Sequence, residues 1–262
     1  LNNYQAPTRF VGKKSKYLDI CPSTNSLGFQ EALHDNLEEG FAWIAGHQTD
    51  GRGQRGNTWN TEPNQNLTLS YLLRPPHHLL DKQFYLSKAI ANGILAGLEA
   101  WSRATQGENF NFEIKWPNDI YLDGVKMGGI LIENNIQAGK WSFSIVGIGL
   151  NINQIQFENI RGTSLRFYLD LQKAIPLTEI YHYLSMGIEE AYIQFTSEAF
   201  TKIDEIYHEK LLRRAQWALY ESGGEKFEGK IIGVNEQGLL EIEKEFTVES
   251  YDLKEISFIF PI

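Results

Sequence analysis

The run Gly51-Arg52-Gly53-Gln54-Arg55-Gly56 puts two guanidinium groups on a backbone that glycine leaves free to bend. Its spacing is G-x-G-x-x-G, and it is also close to a phosphate-binding Walker loop. It satisfies neither pattern. A dinucleotide fingerprint must open a helix whose N-terminus faces the pyrophosphate, whereas here Asn57-Thr58-Trp59-Asn60-Thr61-Glu62-Pro63-Asn64 reads as turns and loop. Asn57-Thr58 stands where a Walker loop needs Lys followed by Ser or Thr. No acidic residue follows about 20 positions on to hold a ribose. The segment suits either a loop that closes over an anion with mobile arginines or a solvated glycine turn.

Two further runs carry polar groups into apolar surroundings. Lys115-Trp116-Pro117-Asn118-Asp119 lies between two short strands, and Pro117 fixes the bend that presents an amide and a carboxylate. Asp119 suits either a turn carboxylate or a partner for Mg²⁺, which takes few carboxylates and completes its shell with phosphates. Lys126-Met127-Gly128-Gly129-Ile130-Leu131 brings a cation to the mouth of an apolar strand. A lysine there snorkels to solvent or holds an anion, and the paired glycines favour a ligand lying against the backbone. In Val146-Gly147-Ile148-Gly149-Leu150-Asn151-Ile152-Asn153 the two glycines and the two asparagines share a face by period two. That face takes an adenine ring or a neighbouring backbone, and the asparagines read a purine edge or end the strand.

The elements that must position these runs follow from periodicity. Residues 17–20 form a strand, Ser23-Thr24-Asn25 offers an N-cap, and 26–37 form a helix ended near Gly40. Residues 41–47 form a strand leading into the glycine loop. Residues 66–74 alternate, which predicts a strand with one buried face. Residues 79–104 carry the strongest helical stripe. Strands are predicted over 112–116, 120–122, 130–136 and 141–152, with hairpin turns at Asp123-Gly124 and Ala138-Gly139. Helices are predicted over 164–171 and 177–212, the second broken near Thr196-Ser197. From Trp217 onward short alternating segments predict a small β-barrel. The expected division is a first domain over 1–212 and a second over 213–262.

With 262 residues, 42% of them hydrophobic, the chain can bury a sizeable core as one large domain or two smaller ones. The net charge of −9 disfavours nucleic acid as the main partner. Cys21 is the one cysteine, so no intrachain disulfide forms, in keeping with a reducing, cytoplasmic setting. No apolar run approaches the ~20 residues of a membrane span. The six histidines show no zinc-ligand spacing, and Ser23 lacks the context of a nucleophile elbow.

Taken in order, Ser23-Thr24-Asn25, Gln48 with the Gly51–Trp59 loop, Lys115–Tyr121, Lys126–Glu133 and Gly147–Asn151 resemble the biotin–protein ligases, the BirA-type holocarboxylase synthetases. The resemblance runs from about Tyr17 to the C-terminus. It implies an α+β fold: a mixed β-sheet with flanking helices, like the catalytic core of class II aminoacyl-tRNA synthetases, followed by a small SH3-like β-barrel. It implies two steps. Biotin and ATP, with Mg²⁺, give biotinyl-5′-AMP and pyrophosphate; a lysine of a biotin carboxyl carrier domain then attacks the mixed anhydride. By the same resemblance Lys126 sits at the biotin carboxylate and α-phosphate, and Arg52 belongs to the loop closing over them. Ser23, Thr24, Asn25, Gln48, Gly51, Gly53, Gln54 and Gly129 would surround biotin. Arg55, Trp59, Lys115, Asn118, Gly147, Gly149 and Asn151 would surround ATP or the adenylate, with Asp119 beside a Mg²⁺. A homodimer is compatible with the family.

The chain departs from the family at two points. The family loop often reads G-R-G-R-R-G-R, whereas Gln54 and Asn57 occupy two of those arginine positions, so weaker retention of the intermediate is expected. Some members carry an N-terminal helix-turn-helix; the sixteen residues before Tyr17 are too few for one, so a ligase that is not a DNA-binding repressor is expected. The competing readings are a lipoate–protein ligase or octanoyltransferase of related fold, and a non-catalytic biotin or nucleotide sensor.

Overall fold

The computed structural model describes residues 4–157 and 162–260. In chain order its elements are β1 (Ser15–Cys21), α1 (Thr24–His34), β2 (Ala42–Gln48), β3 (Leu67–Leu73), α2 (Gln83–Gln106), β4 (Phe112–Lys115), β5 (Asp119–Leu122), β6 (Val125–Gln137), β7 (Lys140–Leu150), α3 (Leu165–Tyr168), α4 (Leu177–Thr196) and α5 (Phe200–Glu209). The chain ends with β8 (Trp217–Ser222), β9 (Glu225–Val234), β10 (Leu240–Glu243), β11 (Val248–Tyr251) and β12 (Ser257–Phe258). Strands β1 to β7 form one mixed sheet in the order β1-β2-β3-β7-β6-β5-β4, parallel between β1 and β2 and antiparallel elsewhere. Strands β8 to β12 form a separate antiparallel sheet in the order β11-β10-β9-β8-β12. The α+β expectation, with a second β unit after the helices, is met.

Period-two alternation divides the first sheet into two unlike faces. Leu67, Leu69 and Tyr71 of β3 and Val146, Ile148 and Leu150 of β7 join the main core with α2 and α4. The opposite face is split along its length. At one end Trp43, Leu72, Phe143 and Ile145 pack under α1 in a second, smaller core. At the other end it carries Thr68, Ser70, Gly147 and Gly149. Those small and polar side chains leave the space in which the cavity forms. The expectation of one buried face for β3 is corrected: all seven of its residues are buried, because α1 and the glycine loop cover the polar side too.

Several element bounds also move. Helix α1 stops at His34, where Asp35 turns to extended backbone and donates to the Glu31 carbonyl. The 164–171 segment shortens to a single turn, α3, capped by the Ser164 hydroxyl. Both expected hairpin turns form, with positive φ at Asp123-Gly124 and at Ala138-Gly139.

The second sheet is fastened to the core by polar groups. Lys88 of α2 is wholly buried and donates to Asp204 of α5 at 2.5 Å and to the Val234 carbonyl of β9 at 2.9 Å. Burial pushes the Lys88 pKa down, and Asp204 opposes that shift. The Trp116 indole donates to the Gly238 carbonyl at 2.9 Å. Arg213 donates to the Ile259 carbonyl at 3.0 Å.

Candidate active site

A row of paired residues crosses six strands of the first sheet: Ala45, Thr68, Gly149, Gly129, Asp119 and Lys115. It begins under the glycine loop and ends at a cation. Gly149 and Gly129 are adjacent in this row, so the middle of the floor has no side chains. A Cβ on Gly129 would meet no atom closer than 3.7 Å, whereas one on Gly128 would collide with Leu150 on the core side. The paired glycines thus do different work. Gly128 permits close packing, and Gly129 leaves the backbone open to a ligand.

Lys126 reaches the same face because of a β-bulge. Ile120 pairs with Gly128, but Tyr121 pairs with Lys126, leaving Met127 as the extra residue. In a straight strand Lys126 and Gly129 would point to opposite faces. The bulge turns Met127 into the core, fully buried, and returns Lys126 to the side of Asp119. There the Lys126 ammonium lies 2.6 Å from Asp119 Oδ1, and Lys115 lies 3.7 Å from Oδ2. Burial pushes the Lys115 pKa below the usual lysine range. Asp119 opposes that, while Lys126 and Arg213 beside it push the same way as burial.

These groups border a cavity of about 250 Å³. The first turn of α1 forms one wall. Ser23, Thr24 and Asn25 are buried there, and no acidic side chain offsets the positive end of the helix. The Gln48 Oε1 accepts from the Thr24 backbone at 2.7 Å and from its hydroxyl at 3.0 Å. Ser70 Oγ stands 2.7 Å from Thr24 Oγ1 and 2.6 Å from Asn25 Oδ1. Asn25 also donates to the Leu131 carbonyl at 3.1 Å and to Glu133 at 2.9 Å. A polar wall this interlinked holds its donors and acceptors in fixed directions.

The glycine loop covers the cavity with one 3₁₀ turn at Gln54–Gly56, and residues 57–64 continue as turns and loop, as expected. The Trp59 N–H donates to the Gly51 carbonyl at 2.8 Å, and Gly53 donates to the Asn57 carbonyl at 2.7 Å. Gly51 must lack a side chain, since a Cβ would collide with the Trp59 carbonyl. The Trp59 ring lies on Gly149, and its buried Nε1 has no hydrogen-bond partner. Arg52 borders the cavity but points its guanidinium at Glu133, with contacts of 2.8 and 3.4 Å, and at Ser26 Oγ, 3.2 Å away.

The cavity therefore gathers Ser23, Thr24, Asn25, Gln48, Arg52, Gly53, Gln54, Trp59, Lys115, Asn118, Asp119, Lys126, Gly129, Gly147 and Gly149. Gly147 serves the Asn25 side chain, which fills the place of its Cβ. Asn118 is at the wall, with its amide donating to the Ile130 carbonyl at 2.7 Å. Gly51 and Asn151 do not border the cavity; Asn151 continues the chain from β7, its N–H donating to the Met127 carbonyl. Asn153 bonds the Ile175 backbone in both directions and is structural. The Arg55 side chain lies outside the described residues. Sequence reasoning missed Ser70, whose polarity within an apolar run was the available signal. It also missed Leu253 and Lys254, which reach the wall from the connection between β11 and β12 with no local signal.

Asp119 does not fit a resident Mg²⁺. Both of its oxygens face lysines, and among the described residues no group of three or more His, Cys, Asp or Glu side chains could hold a metal. It is arranged as the counter-ion of Lys126, with Lys115 more distant on its other oxygen. Chemically, the site offers positive charge held by a carboxylate, a polar wall and a loop-borne arginine. Those are the needs of a reaction that brings two anionic groups together.

The sequence profile of the biotin/lipoate A/B protein ligase family matches residues 17–152, more than half of the chain. The chain belongs to that family. It is 27% identical over 240 residues to the bifunctional ligase/repressor BirA of Bacillus spizizenii, covering 90% of this chain and 71% of that protein. It is 30% identical over 170 residues to the biotin–[acetyl-CoA-carboxylase] ligase of Mycobacterium tuberculosis, covering 63% of this chain and 60% of that one. Among solved structures, the biotin protein ligase of Aquifex aeolicus in complex with biotin and ATP superposes with a TM-score of 0.74 at 26% identity, covering 94% of this chain and 98% of that chain.

Proposed function

We propose that this protein is an ATP-dependent biotin–protein ligase. The biotin carboxylate attacks the α-phosphate of ATP, releasing pyrophosphate and leaving biotinyl-5′-AMP. The ε-amine of a lysine on a biotin carboxyl carrier domain then attacks the acyl carbon and expels AMP. The observation that carries this reading is the glycine floor with the Lys126–Asp119–Lys115 cluster at its end and Arg52 in the loop above. Two anions must meet in the first step, and cations held in place lower the cost of that encounter without reorganising during it.

In this reading Lys126 neutralises the biotin carboxylate and the α-phosphate, and Lys115 the phosphates beyond. Thr24, Asn25, Gln48 and Ser23 direct hydrogen bonds to the biotin head, and Gly129 lets it lie against the strand. Arg52 leaves Glu133 to close over the reacting groups and exclude water from the anhydride. Mg²⁺ enters with the triphosphate as part of the substrate. The catalytic part spans 1–212 and the SH3-like part 213–262. The acceptor is the carrier domain of a biotin-dependent carboxylase, and the negative net charge argues against a DNA partner. We place the reaction in the cytoplasm, and a homodimer is compatible with the family.

The test is mass spectrometry of a carrier domain after incubation with the protein, ATP and either biotin or lipoate. A single biotinyl addition at one lysine, dependent on ATP, is expected. Lipoyl transfer in its place would establish the related ligase activity instead. Binding of biotin without pyrophosphate release would establish a sensor.

A further inference from the structure

Besides Leu253 and Lys254 at the wall, the second β unit approaches one of the cavity's lysines. The Lys115 ammonium lies 4.7 Å from the centroid of the Phe258 ring, on β12. Asp119 is its acidic neighbour, but at 3.7 Å that contact is longer than a hydrogen bond. The nearer oxygen of Asp119 belongs to Lys126, at 2.6 Å. The carboxylate therefore does not by itself fix where the Lys115 ammonium points, and a lysine stem has four rotatable bonds to lose.

The Phe258 ring is itself well held. Tyr220 meets it edge-on at 5.2 Å, and Phe260 stacks beside it at 6.4 Å. Its strand pairs with β8, and the following residue, Ile259, donates its N–H to the Leu219 carbonyl and accepts from the Arg213 guanidinium. An aromatic face attracts a cation through its quadrupole and adds no counter-charge. A second carboxylate in that place would hold Lys115 as well but would cancel the charge needed for phosphate.

We propose that Phe258 is a positioning residue of the active site, holding the Lys115 ammonium at the cavity wall where it meets the phosphates of ATP. The inference rests on the ligase reading above. It makes the last strand of the second sheet part of the catalytic apparatus, acting through a residue about 140 positions earlier in the chain.

The experiment replaces Phe258 with mono-, di- and trifluorophenylalanine, which keep the ring's shape while draining its face of negative charge. Phe258→Leu and Phe258→Tyr complete the series. Biotin-dependent ATP–pyrophosphate exchange is measured for each. The expected result is a stepwise rise in KM for ATP, reaching about five-fold for the trifluoro ring and for Phe258→Leu, with kcat little changed and Phe258→Tyr close to wild type. A KM that ignores fluorination overturns the proposal, even if Phe258→Leu loses activity, because that pattern belongs to packing alone. Wild-type protein without biotin-dependent exchange would remove the ligase reading, and this inference with it.

Discussion

Lys126 and Arg52 border one cavity, yet the fold supplies them in opposite ways. Lys126 stands on a paired strand, is aimed by a bulge, and meets a carboxylate on the adjacent strand at 2.6 Å. Arg52 stands on a loop held by a single bridge to Thr58 and by short backbone bonds at its base. Its partner Glu133 lies on β6, and both side chains are partly open to solvent. A strand-borne cation paired across the sheet is positioned before the substrate arrives. A loop-borne cation can exchange its protein partner for an anionic ligand at small cost, since exposed ion pairs contribute little. In the proposed ligase reading, the fixed charge meets the reacting anions and the loop-borne one closes over them.

Removing the fixed charge should do the most harm. Lys126→Ala is expected to lower pyrophosphate exchange roughly 1000-fold while the thermal unfolding curve stays close to wild type. Lys126→Arg should recover little of it, because a planar fork does not reproduce an ammonium aimed from a bulge. Normal exchange in Lys126→Ala would break the comparison at its stronger end.

Arg52→Ala should cost less, about 10- to 100-fold in exchange, and should also speed hydrolysis of the bound intermediate. The matched variant Glu133→Gln leaves Arg52 in place and weakens its resting partner. Its expected defect is smaller than that of Arg52→Ala. Equal losses in Lys126→Ala and Arg52→Ala would show that the two cations are not differently supported.

The same contrast explains what could be read without coordinates. Residues close in sequence and governed by a local period were legible: the strands of the first sheet, the two hairpin turns, and the failure of the glycine loop to open a helix. The glycine pair after Lys126 was visible as a run, and Gly129 is the member that borders the cavity. The bulge at Met127 was not legible, because one inserted residue leaves no mark in composition yet reverses the face of Lys126. Nor was the split between Gly128 and Gly129, which depends on Leu150 standing opposite the first. Ser70 was hidden because an alternating strand reads as one wet face and one dry face. Here α1 covers the face expected to be wet. Leu253, Lys254 and Phe258 come from the far end of the chain, where no spacing relates them to the cavity.

The smallest expected effect concerns the loop alone. Gln54 borders the cavity, and its buried Oε1 has no hydrogen-bond partner, at a position where the family loop often carries arginine. Gln54→Arg adds a third arginine to the loop, beside Arg52 and Arg55, without touching the strand cluster. The release rate of biotinyl-5′-AMP, followed by chasing preloaded enzyme with unlabelled biotin and ATP, should fall about two- to five-fold, with the initial rate of adenylate formation unchanged. Raising the salt concentration should erase much of that gain, because charges near solvent are screened. A variant that released the adenylate as fast as wild type would mean that enclosure by Trp59 and the loop backbone, rather than loop charge, retains the intermediate.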